Sequence, residues 1–123
     1  MYYGIFLEPV VKEILLRRYK SLIPADWTVY ADHITLVHKV DKDYTVLSKM
    51  LDNFIWHKMA FNVIGFGISE NAIALLVDIN TQNKHSHITL AVKPGHKPVE
   101  SNLIENWYMY EKTYAFCGRI DKR

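Results

Sequence analysis

Apolar residues recur along this chain with two different periods. Tyr2 to Leu7 is a short aromatic and aliphatic run that stops at Glu8-Pro9, where the missing proline amide suits a strand end or the first turn of a helix. Val10, Val11, Ile14, Leu15 and Leu16 then follow helical spacing, continued by Tyr19 and Leu22, with Lys12, Glu13, Arg17 and Arg18 on the other side. This predicts a strand followed by an amphipathic helix that ends before Pro24. His33 to Val37 reads as a second strand. Asp41 and Asp43 are candidate caps for a second helix, whose buried stripe would be Val46, Leu47, Met50, Leu51 and Phe54. From Lys58 the period becomes that of strands: Met59 to Ile68 and Ala72 to Ile79 flank Ser69-Glu70-Asn71, as in a hairpin. Gly65 and Gly67 mark a bulge or a close backbone approach. His87 to Val92 is a further strand, followed by a proline-stiffened loop, Lys93 to Pro98, and a short helix starting near Ser101. Thr113 to Ile120 is a final strand, and most of the aromatic residues belong to the core or to a tyrosine-rich tail around Trp107 to Tyr110.

The strand segments contain an internal repeat. His33-Ile34-Thr35-Leu36-Val37-His38-Lys39 matches His87-Ile88-Thr89-Leu90-Ala91-Val92-Lys93 at five of seven positions. In an extended strand His33, Thr35, Val37 and Lys39 share one face, as do His87, Thr89, Ala91 and Lys93, while Ile34, Leu36, Ile88 and Leu90 point the other way into a core. Burial alone does not require an imidazole and a hydroxyl at the head of both polar faces. Two imidazoles on opposite sides of a phosphate suit acid–base phosphoester chemistry: one deprotonates a nucleophile and the other protonates the leaving oxygen. The adjacent threonine hydroxyls, Thr35 and Thr89, can hydrogen-bond non-bridging phosphate oxygens. The scheme calls for no metal and no cofactor.

Composition narrows the setting. The chain has 123 residues, enough for one domain and too few for a second full one. Half of it is hydrophobic and 23% charged, and its apolar runs are too short to suggest a membrane span. The opening Met1-Tyr2-Tyr3-Gly4 lacks the pattern of a secretory signal, and a lone Cys117 excludes an intramolecular disulfide. A reducing, cytoplasmic setting is expected, with no membrane and no obligate protein partner. The net charge of +2 is too small for a nonspecific nucleic-acid coat, but there is no acidic residue between Asp78 and Glu100, where Lys84, Lys93 and Lys97 sit among His85, His87 and His96. Lys39 and Lys93, about 20 Å along from each histidine, read as steering charges at a cleft rim.

Taken together, the chain resembles the 2H phosphoesterase superfamily, named for paired His-x-Thr/Ser motifs. Within it the chain is most similar to the cyclic phosphodiesterase domain of fungal-type tRNA ligases, through Tyr3-Gly4-Ile5, His33-Ile34-Thr35-Leu36, the hairpin, His87-Ile88-Thr89-Leu90, Lys97-Pro98 and Ser101-Asn102. The resemblance implies a single α+β domain over residues 1–123, bilobal, with two antiparallel sheets related by a pseudo-twofold axis and flanked by helices. It implies action on a nucleotide or RNA 2′,3′-cyclic phosphate, a 2′–5′ linkage or a cyclic oligonucleotide, with His33, Thr35, His87 and Thr89 catalytic. The adenylyltransferase and kinase domains of tRNA ligases have no counterpart within these 123 residues, so a role within a multi-step ligase chain is not expected. Among the aromatics, Tyr2, Tyr3 and Trp27 are candidates to stack a base, with Tyr3 preferred from the resemblance. Ser101 is expected to cap the last helix, and Cys117 to pack in the core.

Two other readings use the same residues. A binding module would hold an RNA end or a cyclic nucleotide in the cleft without turnover. A zinc hydrolase would use His33, His85 and His87, but no acidic or cysteine ligand accompanies them and the repeated threonines contribute nothing to coordination. His38, on the face opposite His33, and His57, beside Trp56, read as edge or capping histidines.

Overall fold

The computed structural model describes all residues, Met1–Arg123. In chain order the elements are β1 (Tyr3–Leu7), α1 (Pro9–Arg18), a 3₁₀ turn (Lys20–Leu22), β2 (Thr28–Val29), β3 (His33–Val37), α2 (Thr45–Asp52), β4 (Lys58–Ile68), β5 (Ala72–Val77), β6 (His87–Val92), a second 3₁₀ segment (Pro98–Leu103) and β7 (Trp107–Lys122). No helix is long and apolar enough to cross a membrane.

Pro9 occupies the first turn of α1, where its missing amide leaves no bond unmade, and Arg17 and Arg18 complement the dipole at the other end. The buried stripe of α1 is narrower than its apolar pattern: Val11, Leu15 and Tyr19 are buried at i, i+4 and i+8, while Val10 and Ile14 remain exposed. In α2 the expected stripe is rotated away from the core. Leu51 and Ser48 are buried, but Val46, Met50 and Phe54 are exposed. Asp41 caps the turn before α2 rather than the helix itself, its carboxylate accepting the Asp43 amide at 2.9 Å.

The expected bilobal, two-sheet α+β architecture does not hold. All strand pairs are antiparallel, and the order β6-β3-β1-β7-β4-β5 is closed by a further pairing of β5 with β6, with β2 lying beside the far end of β6. The result is a small, mostly β protein with a closed six-stranded barrel and few helices. Closure depends on β7, which starts at Trp107 rather than Thr113 and pairs with β1 over Gly118 to Lys122 along one edge and with β4 between Trp107 and Arg119 along the other. Joining the strands at both ends leaves none of the six with a free edge. Ile5, Ile34, Leu36, Val63, Leu75, Ile88 and Leu90 form one continuous core with Val11 and Leu15 of α1.

The glycines of β4 sit where strands crowd. Val63 lies opposite Tyr114 but Gly65 lies opposite Met109, so residues 110–113 of β7 bulge out against Ile64 alone. A Cβ on Gly65 would stand 2.3 Å from the Tyr108 carbonyl oxygen. Gly65→Ala should therefore destabilise the protein by about 1–3 kcal/mol through overpacking. Urea denaturation measures this, and an unchanged midpoint would show that β4 and β7 can separate freely at the bulge.

Candidate active site

β3 and β6 bring the two halves of the repeat side by side. Ile34 pairs with Ile88 in an antiparallel ladder, and both are fully buried. This is the one ladder pair between the two strands; His33 and Thr35 flank Ile34, and His87 and Thr89 flank Ile88, so all four project from the face opposite the isoleucines. The two imidazoles are close enough for His87 to act on His33 electrostatically, and both motifs present their hydroxyls on the same side. The isoleucines on the opposite face join the core and hold this register, because a one-residue slip would turn both histidines inward.

All four residues line one cavity of about 870 Å³. Its walls also include Tyr2, just before β1, Phe6 of β1, Asn83, Asn102 and Arg123. The half-buried His33 ring lies 5.2 Å from both the Tyr2 and the Phe6 rings, and its Nε2 is 3.1 Å from Thr35 Oγ1. Burial holds the His33 pKa below the usual imidazole value; the Asp32 carboxylate opposes this, whereas His87 and Arg123 reinforce it. His87 is buried, with the Trp107 ring 6.2 Å away. Its Nδ1 lies 2.7 Å from the His85 carbonyl oxygen, an acceptor that requires Nδ1 to carry the proton. In neutral His87 the free lone pair is therefore on Nε2. Burial also depresses the His87 pKa, partly offset by that carbonyl and aided by the neighbouring His85.

The two threonines are held differently. Thr89 Oγ1 is 2.8 Å from Oγ of Ser101, which is fully buried within the second 3₁₀ segment. Ser101 is therefore not a helix cap, as expected from its place in the chain, but a side chain packed under Thr89. If Ser101 donates to Thr89, its own hydroxyl is satisfied and the Thr89 proton stays free for a ligand. Thr35 has the His33 ring as its partner instead.

The structure places other candidate residues outside the cavity. Tyr3 is buried in the core and donates its hydroxyl to Asp52 Oδ1 at 2.8 Å; its neighbour Tyr2 lines the cavity. Lys93 lies beyond the end of β6, exposed, with its amide donating to the Asn71 carbonyl, and it is not part of the wall. Lys39, Lys84 and Lys97 are likewise exposed and outside it. Trp27 lines a separate groove of about 730 Å³ against α1. His38 does reach the cavity mouth, because β3 ends at Val37 and strand alternation no longer dictates its direction. His85 stacks on Trp107 at 5.2 Å, and no three His, Cys, Asp or Glu side chains converge as metal ligands, so the zinc arrangement of His33, His85 and His87 has no geometric basis.

Comparison with family models, curated proteins and solved structures finds no match. Sequence reasoning passed over Asn83 and Arg123 as site residues. Nothing in the local pattern of Asp121-Lys122-Arg123 distinguishes it from a solvated charged end. It reaches the cavity only because Tyr2 and Arg123 exchange backbone hydrogen bonds at 2.7 and 2.9 Å.

Proposed function

We propose that this protein is a metal-independent phosphodiesterase of the 2H type, acting on a nucleotide or RNA phosphodiester. The candidate bonds are a 2′,3′-cyclic phosphate, a 2′–5′ linkage or a bond in a cyclic oligonucleotide. The observation that carries the reading is the pairing of Ile34 with Ile88, which sets two His-x-Thr motifs antiparallel in the wall of one cavity.

For a cyclic phosphate, His87 Nε2 takes a proton from water as the water oxygen bonds to phosphorus. The bond from phosphorus to one ribose oxygen breaks, that oxygen keeps the electron pair, and His33 protonates it, leaving a phosphomonoester. Proton exchange with solvent resets both rings. We assign His87 as base because its Nδ1 is committed to a carbonyl, which leaves Nε2 free to accept a proton, and His33 as acid, with the Asp32 carboxylate opposing the lowering of its pKa by burial. Thr35 and Thr89 donate to the non-bridging oxygens as charge builds there. In an internucleotide linkage an adjacent ribose hydroxyl replaces water as nucleophile.

The test is incubation with 2′,3′-cyclic nucleotides, 2′–5′ oligoadenylates and cyclic oligonucleotides in the presence of EDTA. Product formation is the expected result. A tightly held ligand recovered intact from every member of the panel would replace the enzyme with a binding module.

The pH profile adds a second check. The base works when neutral and the acid when protonated, and burial lowers both pKa values. The bell-shaped kcat/KM profile should therefore peak below the ordinary imidazole value of about 6.5. Asp32→Asn removes an influence that raises the His33 pKa, so the alkaline limb should move to lower pH. A profile still rising at pH 8 would contradict these assignments.

A further inference from the structure

We infer that Arg123 binds a non-bridging oxygen of the reacting phosphate, making it the cavity's charged anion clamp; this rests on the phosphodiesterase reading and adds a residue to it. Arg123 is the only lysine or arginine lining the cavity. Its backbone is fixed by the paired hydrogen bonds to Tyr2, and its guanidinium lies over the Phe6 ring, with Cζ 4.0 Å from the centroid. Phe6 also stacks on His33, so the guanidinium and the proposed acid are positioned against the same aromatic ring.

Charge balance leaves this guanidinium available. Its carboxylate partner, Asp121, is at 3.5 Å, well outside the 2.7–2.9 Å range of a strong charge-assisted hydrogen bond. The one acidic residue in the cavity wall, Asp32, is engaged by Lys12 at 2.7 Å. An anion entering the cavity thus meets an arginine fork with donors to spare and a carboxylate already paired. Two threonine hydroxyls supply directional donors but no charge, and a phosphodiester passing to its transition state gains negative charge on the non-bridging oxygens.

The experiment compares wild type with Arg123→Lys, Arg123→Gln and Arg123→Met on a 2′,3′-cyclic mononucleotide, whose single phosphate is the reacting one. In parallel, inorganic phosphate is titrated while the His33 ring protons are followed by NMR. Thermal melts confirm that each variant is folded, and the methionine variant preserves packing on Phe6 without charge. Arg123→Gln and Arg123→Met should lower kcat by about 10²-fold and weaken phosphate binding about tenfold. Arg123→Lys should retain part of both, having the charge without the fork. The His33 pKa should rise in the two neutral variants, because the guanidinium lowers it in the wild type. Unchanged turnover and phosphate affinity in folded Arg123→Met would overturn the inference, as would a loss seen only with longer substrates, which would move Arg123 to a flanking phosphate. If wild type turns over no substrate, the phosphodiesterase reading fails, and the phosphate titration still decides whether Arg123 binds the anion.

Discussion

His87→Ala should lower turnover of the responsive phosphodiester by about 10²-fold or more, the usual range for removing a general acid or base. His33→Ala should do the same. In the proposed mechanism the two rings act on one phosphorus atom as a unit, so the double variant should lose much less than the product of the single losses. His87→Asn sharpens the result: its amide can still donate to the His85 carbonyl, which accepts Nδ1 at 2.7 Å in the wild type, but it cannot take a proton from water. It should be as impaired as alanine while melting closer to wild type. Steady-state kinetics beside thermal melts separate lost chemistry from lost folding. Wild-type turnover in both folded single variants would remove the two-histidine mechanism.

Ile88→Ala should destabilise the fold by about 2–5 kcal/mol, the range for truncating a buried isoleucine to alanine. Ile88 is fully buried in the continuous core and lies directly across from Ile34, also fully buried. Truncation opens a cavity at the only residue pair that joins β3 to β6. Against a total stability of roughly 5–15 kcal/mol for a native protein, this is a large fraction, and it corresponds to a drop in Tm of roughly 10 °C or more. Ile88→Val, which removes one methylene, should cost only about 0.5–1.5 kcal/mol. Because Ile34 and Ile88 touch, their alanine variants should not add. Equal melting of the alanine and valine variants would show that this pair does not hold the two motifs together.

Strands and helices were legible wherever a local period was strong. The alternation in His33–Val37 and His87–Val92 depends on the backbone pleat alone, so it sorts imidazoles and hydroxyls from isoleucines and leucines without any neighbour. The same holds for the paired glycines of β4, since a residue without a side chain marks crowding whatever causes it. The start of β7 was not legible. Trp107 to Tyr110 do not alternate, and the extended conformation of Trp107 to Met109 comes from pairing with the glycine-rich end of β4. Which of two adjacent tyrosines faces the cavity was also hidden, because that parity is set by the register of β1 against its partner strands.

Alternation along each motif, and with it the chemical character of its two faces, belongs to the chain itself, because neighbouring side chains on a strand diverge for purely local steric reasons. Closure into one barrel, the crossing of the two motifs at Ile34 and Ile88, Ser101 beneath Thr89 and Arg123 beside Phe6 belong to the fold. Each of these joins residues far apart in sequence, and such contacts form only when many long-range pairings are satisfied together.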